Sequence, residues 1–269
     1  MTLPLDGLVA VVTGGAGHLG SVMTETMARQ GARVAVADAD GERATAHADA
    51  LAGKGLDAIG LTVDVASPES VNQGFDTVID RFGGVDVLVN NAAPSPLIRQ
   101  DAPAGDLDLA IWDALQSVVL RGALLCVQAT LPSMIKRGGG SIINIASIHG
   151  HLGDSDLTAY PVVKAALVGL TRTLATQYGR AGVRCNSVTV GTIPFPAMSA
   201  EARQSKVRHQ LLPREGRPED VANMVAFLAS PASGFATGAD FRADGGVLAH
   251  LPSYADGGTF ELVRETRDK

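Results

Sequence analysis

The chain has 269 residues, 46% of them hydrophobic, which is enough for one substantial α/β core and fits a single domain better than two small ones. A formal charge of −6 argues against a nucleic-acid partner, and 31 glycines beside only 4% aromatics suit tight turns and close backbone approach to a ligand rather than an aromatic-lined surface. Cys126 and Cys185 lie in apolar stretches with no His or Cys at metal-ligand spacing, so they read as core residues, no metal is expected, and a reducing compartment is implied.

The N-terminus, MTLPLDGLVAVV, has neither the basic start nor the long apolar segment of a signal peptide. No apolar run approaches the roughly 18 residues of a membrane span, so a cytoplasmic protein without a membrane partner is expected. Residues 8–14, LVAVVTG, read as a buried strand that breaks into the glycine turn TGGAGHLG and then a helix closed by Gly31. Such a turn directs backbone N–H groups at a helix N-terminus, where they and the helix dipole favour a pyrophosphate. Gly14, Gly17, Leu19 and Gly20 are its candidate contacts. The next strand, RVAVAD, ends on Asp38, where a dinucleotide-binding unit places an acid on the adenosine ribose. A carboxylate there accepts from both ribose hydroxyls and repels a 2′-phosphate, and no arginine stands in the turn, so NAD is expected over NADP. Asp38 and Asp40 can alternatively begin a turn or cap the following helix.

A helix at roughly 41–54 and a strand ending at Asp64 come next, followed by a helix at 67–82 that opens S-P-E, as a capped helix does. Residues 85–92, VDVLVNNA, form a fourth buried strand whose polar end, Asn90 and Asn91 before Ala92, suits backbone or cofactor contacts. The segment 93–106 carries three prolines and reads as a loop. A long helix containing Trp112 then runs to about Arg137, with Pro132 bending or ending a turn of it.

SIINIA at 141–146 reads as a buried parallel strand delivering Ser147 to the carboxyl edge of a sheet. Tyr160 and Lys164 follow four residues apart, on one helical face. A phenol with a pKa of roughly 10 is a poor base at neutral pH, and a neighbouring ammonium lowers it, which makes Tyr160 the candidate general acid/base. Ser147 can then hydrogen-bond the substrate oxygen, and Lys164 can tune Tyr160 and hold a cofactor hydroxyl. His149 and His151 lie where a substrate pocket belongs; they can bond a polar substrate, assist a proton relay, or be merely solvated. A further strand, VRCNSVTV, leads to a stretch, 191–213, that reads as irregular and as a substrate lid, before a helix at 218–229 and a short last strand. Residues 1–250 are expected to form the one domain, with 251–269 a polar tail.

The ordered motifs TGGAGHLG at 13–20, Asp64-Val65, NNAA at 90–93, Ser147 with Tyr160 and Lys164, Asn186 to Gly191, and GRPEDVAN at 216–223 resemble the short-chain dehydrogenase/reductase family over about residues 5–247. The resemblance implies a single-domain Rossmann fold with a doubly wound, seven-stranded parallel sheet. It also implies hydride exchange between a nicotinamide and an alcohol or ketone carbon. By resemblance, Tyr160 transfers the proton, Ser147 positions the substrate oxygen, Lys164 bonds the nicotinamide ribose, Asp64 and the adjacent Val65 serve the adenine, and the backbone at Ile193 meets the carboxamide. Homotetramers, paired through the long helices and the last helix and strand, are implied as well.

The match departs from the family's pattern at four places. His18 replaces a glycine of the turn, NNAG reads NNAA, and Val190-Gly191 stands for Pro-Gly. Val119 replaces the asparagine that holds a relay water behind the lysine. A valine cannot hydrogen-bond, so the relay either takes another route, for example through Gln116, or is slowed. The resulting expectation is an NAD(H)-dependent secondary-alcohol dehydrogenase or ketone reductase with a modified relay. The alternatives are an NADPH-dependent 3-oxoacyl reductase and a catalytically weak NAD-binding sensor.

Overall fold

The computed structural model describes residues 3–195 and 197–250; the expected polar tail, 251–269, lies outside them. Strand and helix alternate along the chain: β1 (Val9–Thr13), α1 (Gly20–Arg29), β2 (Arg33–Asp38), α2 (Gly41–Ala52), β3 (Ala58–Thr62), α3 (Pro68–Phe82), β4 (Val87–Asn90), α4 (Ser95–Ile98), α5 (Leu109–Leu115), α6 (Gly122–Lys136), β5 (Gly140–Ser147), α7 (Ala159–Tyr178), β6 (Val183–Val190), α8 (Ala200–Arg208), α9 (Pro218–Ala229) and β7 (Asp240–Ala243). The seven strands form one sheet in the order β3-β2-β1-β4-β5-β6-β7, every neighbouring pair parallel. This is the expected doubly wound Rossmann sheet.

The central strands, such as β1, β2 and β4, are apolar on both faces because helices cover both. Ala10 and Val12 of β1 pack with α1, α2 and α9, through Met23, Met27, Leu51 and Val225. Val9 and Val11 face the opposite layer, where α3, α6 and α7 contribute Phe75, Val78, Val127 and Leu174. The chain leaves β1 in one direction for β2 and β3, and in the other for β4 to β7. The carboxyl ends of β1 and β4 therefore flank the crevice where this topology accepts ligands.

Local chemistry sets the helix ends. Ser67 accepts the Ser70 amide at 3.2 Å ahead of Pro68, and Gly83 closes α3 at φ +83°, a conformation that a side chain would oppose.

Several sequence expectations need correction. The long helix is interrupted by a π-helical turn, Gln116–Arg121, that carries Val119. It also continues through Pro132 to Lys136, because the carbonyl that the proline leaves without a donor belongs to the exposed Gln128. The continuous helix Leu109–Lys136 is apolar and long enough to cross a bilayer by length and composition, against the expectation from residue runs; nearly half of its most apolar window is buried, as in a core helix. The stretch 191–213 is not wholly irregular, since Ser199 caps α8 within it. The third and fourth strands stop short of the expected ends, at Thr62 and Asn90.

Candidate active site

The turn after β1 is built without room for side chains. Gly14 has φ +61°, a Cβ on Gly15 would lie 2.7 Å from the Val12 carbonyl, and one on Gly20 would collide with the Gly14 carbonyl. Thr13 Oγ1 donates to Val89 O at 3.2 Å and accepts the amides of Asn91 and Ala92 at 3.0 and 3.1 Å, which stitches β1 to β4. Asn91 Nδ2 donates to the carbonyls of Thr13 and Gly14. Asp38 Oδ2 accepts the Ala16 amide at 3.1 Å and Oδ1 that of Asp40, so the carboxylate stands directly against the turn. Among the described residues, no protein acceptor meets the amides of His18 and Leu19, at the N-terminus of α1. A close backbone cradle, free N–H groups and an adjacent carboxylate fit the pyrophosphate and ribose of a dinucleotide.

The fold adds a group that the sequence reading missed. Arg43 of α2 donates to Ala16 O at 2.7 Å, so an arginine does reach the turn, beside Asp38. His18 turns away from the amides of its own loop: its Nε2 lies 3.0 Å from Pro194 O, tying the turn to the segment after β6.

The expected proton-transfer residues meet at the carboxyl end of β5. Ser147 ends the strand, and Tyr160 and Lys164 lie on the first turns of α7. Ser147 Oγ lies near enough to the Tyr160 phenol to pull its pKa down, and Lys164 Nζ is 5.6 Å from the centre of the Tyr160 ring. Lys164 is 3% exposed and donates to Ile145 O at 2.6 Å; burial pulls its ammonium down to about 8. Tyr160 behaves differently from the expectation. Burial pushes its phenol above the ordinary value, only partly opposed by the Ser147 hydroxyl, because desolvation of the phenolate outweighs what its neighbours return.

Asp101, in the segment before α5, holds this helix in position. Its Oδ1 accepts the amides of Thr158 and Ala159 and its Oδ2 that of Tyr160 at 2.8 Å, capping a helix whose own N-cap residue makes no side-chain bond. Nothing local in the sequence pairs Asp101 with a helix nearly 60 residues on.

The two candidate histidines part company. His149 stays at the centre, its Nδ1 3.2 Å from Ser147 Oγ and its ring edge-on to Tyr160 at 5.7 Å. His151 instead joins a network at β6 and β7, 3.0 Å from Thr189 Oγ1 and 3.2 Å from Asp240 Oδ2. Other expected contact residues also have partners within the protein. Asn90 is buried and donates to Asn144 Oδ1, Val65 packs in the core against Gly122, and Ile193 packs partly buried over Gly216. Asp64 is exposed, its Oδ1 turned to the Ala66 amide. Val119 is 3% exposed in an apolar cluster with Ala123, Val163 and Leu167, and Gln116 lines an outer cleft with Leu120, Leu124 and Leu170.

Comparison with known proteins agrees with this geometry. The family model described as enoyl-(acyl carrier protein) reductase matches residues 15–248. A chain named "Probable short-chain type dehydrogenase/reductase" from Bradyrhizobium diazoefficiens is 46% identical, over 96% of this chain and 94% of its own. The cis-4-hydroxycyclohexanecarboxylate dehydrogenase of Sinomonas cyclohexanicum is 36% identical over 90% of this chain and 96% of its own. The crystal structure of a gluconate 5-dehydrogenase from Burkholderia cenocepacia in complex with NADP and tartrate superposes with a TM-score of 0.87 at 29% identity, covering 93% of this chain and 98% of that one. The chain belongs to the short-chain dehydrogenase/reductase family, oxidoreductases that use a nicotinamide cofactor.

Proposed function

We propose that the chain is an NAD(H)-dependent dehydrogenase or reductase that interconverts a secondary alcohol and a ketone, with Tyr160 as general acid/base. The observation that carries this reading is the meeting of Ser147, Tyr160 and Lys164 at the end of β5, on the same edge of the sheet as the glycine turn. The nicotinamide, when bound, supplies or accepts the hydride. Gly14, Gly17, Leu19 and Gly20 would hold its pyrophosphate, Asp38 a ribose, Asp64 and Val65 the adenine end, the strand end at Asn90, Asn91 and Ala92 the middle, and Ile193 with Tyr160 and Lys164 the nicotinamide end.

In reduction, the neutral Tyr160 phenol gives its proton to the carbonyl oxygen while the Ser147 hydroxyl orients that oxygen. Its raised pKa suits it to act as the acid. In oxidation, phenolate is needed, and the nearby Lys164 ammonium favours it once the site is occupied and water is excluded. The sister dehydrogenase of a ring-borne secondary alcohol supports the substrate class. Residues 1–250 act as one catalytic domain, with 191–213 as the substrate segment. A homotetramer is supported by exposed apolar side chains where subunits of such a fold pair: Leu124 and Ile135 of α6, Val162 of α7, and Phe227 and Phe235 beside β7.

A second reading, preference for NADP(H), is favoured by Arg43 at the turn and by the neighbour solved with NADP. Paired titrations of NAD(H) and NADP(H) separate the two. NAD(H) is expected to bind more tightly to wild type and to lose that advantage in Asp38→Ala; tighter NADP(H) binding that collapses in Arg43→Ala would overturn the preference. A screen of secondary alcohols and ketones should then give turnover that Tyr160→Phe abolishes.

A further inference from the structure

Proton transfer at a buried phenol needs an exit to solvent, and on the Lys164 side the apolar, packed Val119 offers no group to pass a proton on. Lys164 Nζ donates to Ile145 O in the interior, and its α7 neighbours Val163 and Leu167 pack with Val119 and Ala123 in an apolar cluster. The side facing Ser147 is the opposite. Ser147 Oγ accepts the His149 amide at 3.3 Å and lies 3.2 Å from His149 Nδ1, while His149 Nε2 lies 3.1 Å from Asp154 Oδ2. Asp154 is itself fixed, its Oδ1 accepting the amides of Asp156 and Leu157 at 2.8 and 3.1 Å. An ionised carboxylate has no proton to give, so Nε2 carries the imidazole hydrogen and Nδ1 is left to accept from Ser147.

We propose that the proton handled by Tyr160 is exchanged with solvent through Ser147 and His149, with Asp154 as the positioning residue, in place of an exit past the lysine. This rests on the dehydrogenase reading above. In oxidation, Tyr160 takes the substrate hydroxyl proton. The Tyr160 O–H then passes its proton to Ser147 Oγ as the Ser147 O–H passes its own to His149 Nδ1. The phenolate is restored, Ser147 is again a hydroxyl, and the imidazolium loses a proton from Nε2 to water at the partly exposed His149–Asp154 end. Reduction runs the same steps in reverse. His149 suits the task because burial holds it below the ordinary imidazole value, opposed by Asp154 and assisted by Lys206 of α8, while the Tyr160 ring beside it is uncharged in the resting state. It therefore starts neutral, with a lone pair to accept.

The test uses His149→Gln, whose amide can still hydrogen-bond Ser147 but cannot carry a proton. Expected for cofactor-saturated oxidation is a fall in kcat of about tenfold or more with KM little changed, the low end of general acid–base contributions. A larger solvent isotope effect, loss of the acid limb from the pH profile and partial recovery with added imidazole should accompany it. Asp154→Asn should give a smaller fall of the same kind. Independently of turnover, nitrogen-resolved NMR of the cofactor-free protein should show His149 protonated on Nε2, with an Nδ1 signal that moves in Ser147→Ala. Wild-type kcat, isotope effect and pH profile in His149→Gln, or a hydrogen on Nδ1, would overturn the relay while leaving Tyr160 as the base. Turnover that survives Tyr160→Phe would instead overturn the dehydrogenase mechanism and the relay with it.

Discussion

The two ends of the ligand crevice are constructed on different principles. At β1 and β4, backbone groups and short side chains close on each other: glycines lie against carbonyls, Thr13 bridges two strands, and Asp38 sits on an amide of its own βα unit. At β5 and α7, the chemistry rests on groups brought from elsewhere and buried at a cost, with Lys164 inside the protein, Asp101 capping from a loop and Asp154 orienting an imidazole. The first is a rigid shape that a ligand fills. The second is a set of poised charges, and its stability and chemistry pull in opposite directions.

The contrast can be broken most sharply at Lys164. Lys164→Met removes a buried ammonium and should raise stability below pH 8 by roughly 3 kcal/mol, following the fall from 10.5 to about 8, while abolishing turnover. The sign with pH follows from linkage. As pH rises from about 8 towards 10.5, the folded wild type has shed a proton that the unfolded chain still binds, so wild type gains stability and the gap to the variant narrows. Denaturant titrations at pH 7 and 10 check this; a variant less stable at both would show that the ammonium is well solvated by its carbonyl.

Thr13→Val probes the other end. It leaves the Asn91 and Ala92 amides without an acceptor and should cost about 2 kcal/mol while weakening cofactor binding and leaving the chemical step intact. A loss of kcat at saturating cofactor would show that the two ends are coupled. The smallest effect is expected from Asp101→Ala. Loss of the remote cap should lower stability by about 1 kcal/mol, visible in thermal unfolding. It should also lower kcat more than cofactor affinity, because the amide it releases belongs to Tyr160.

The same contrast decides what could be read from the sequence. Apolar β-branched runs and their intervening helices marked the inner strands, because a sheet covered on both faces demands such runs, whereas the last strand, DFRA, carries none. Ser147, Tyr160 and Lys164 were legible from a strand end and a one-turn spacing, and the glycine turn from its residue types. Asp101, Asp154 and Arg43 were not. Each acts on a partner fixed only by tertiary folding, and a lone acid or base in a loop carries no periodic signal. The π-helical turn around Val119 escaped for a related reason: its sequence, QSVVLR, has ordinary helical composition, and the register shift appears only when the helix packs. The direction of the Tyr160 shift was misjudged because proximity to a cation is visible in spacing, whereas desolvation depends on everything packed around the ring.

The position of β1 in the middle of the sheet has a consequence for how the molecule assembles. Its contact with the β2 end, Asp38 to Ala16, spans 22 residues, whereas the Thr13 bridge to Val89 spans 76. Closing the longer loop costs about 1 kcal/mol more in chain entropy, and the pairing must wait for β4 to be made. The β1–α1–β2 unit can therefore gather early as a nascent chain emerges, but the crevice that takes the cofactor exists only after β1 and β4 have met. In a refolding experiment, nucleotide fluorescence should lag behind the recovery of helix, and a saturating dinucleotide should slow unfolding by clamping the pair of strands that folding joins late.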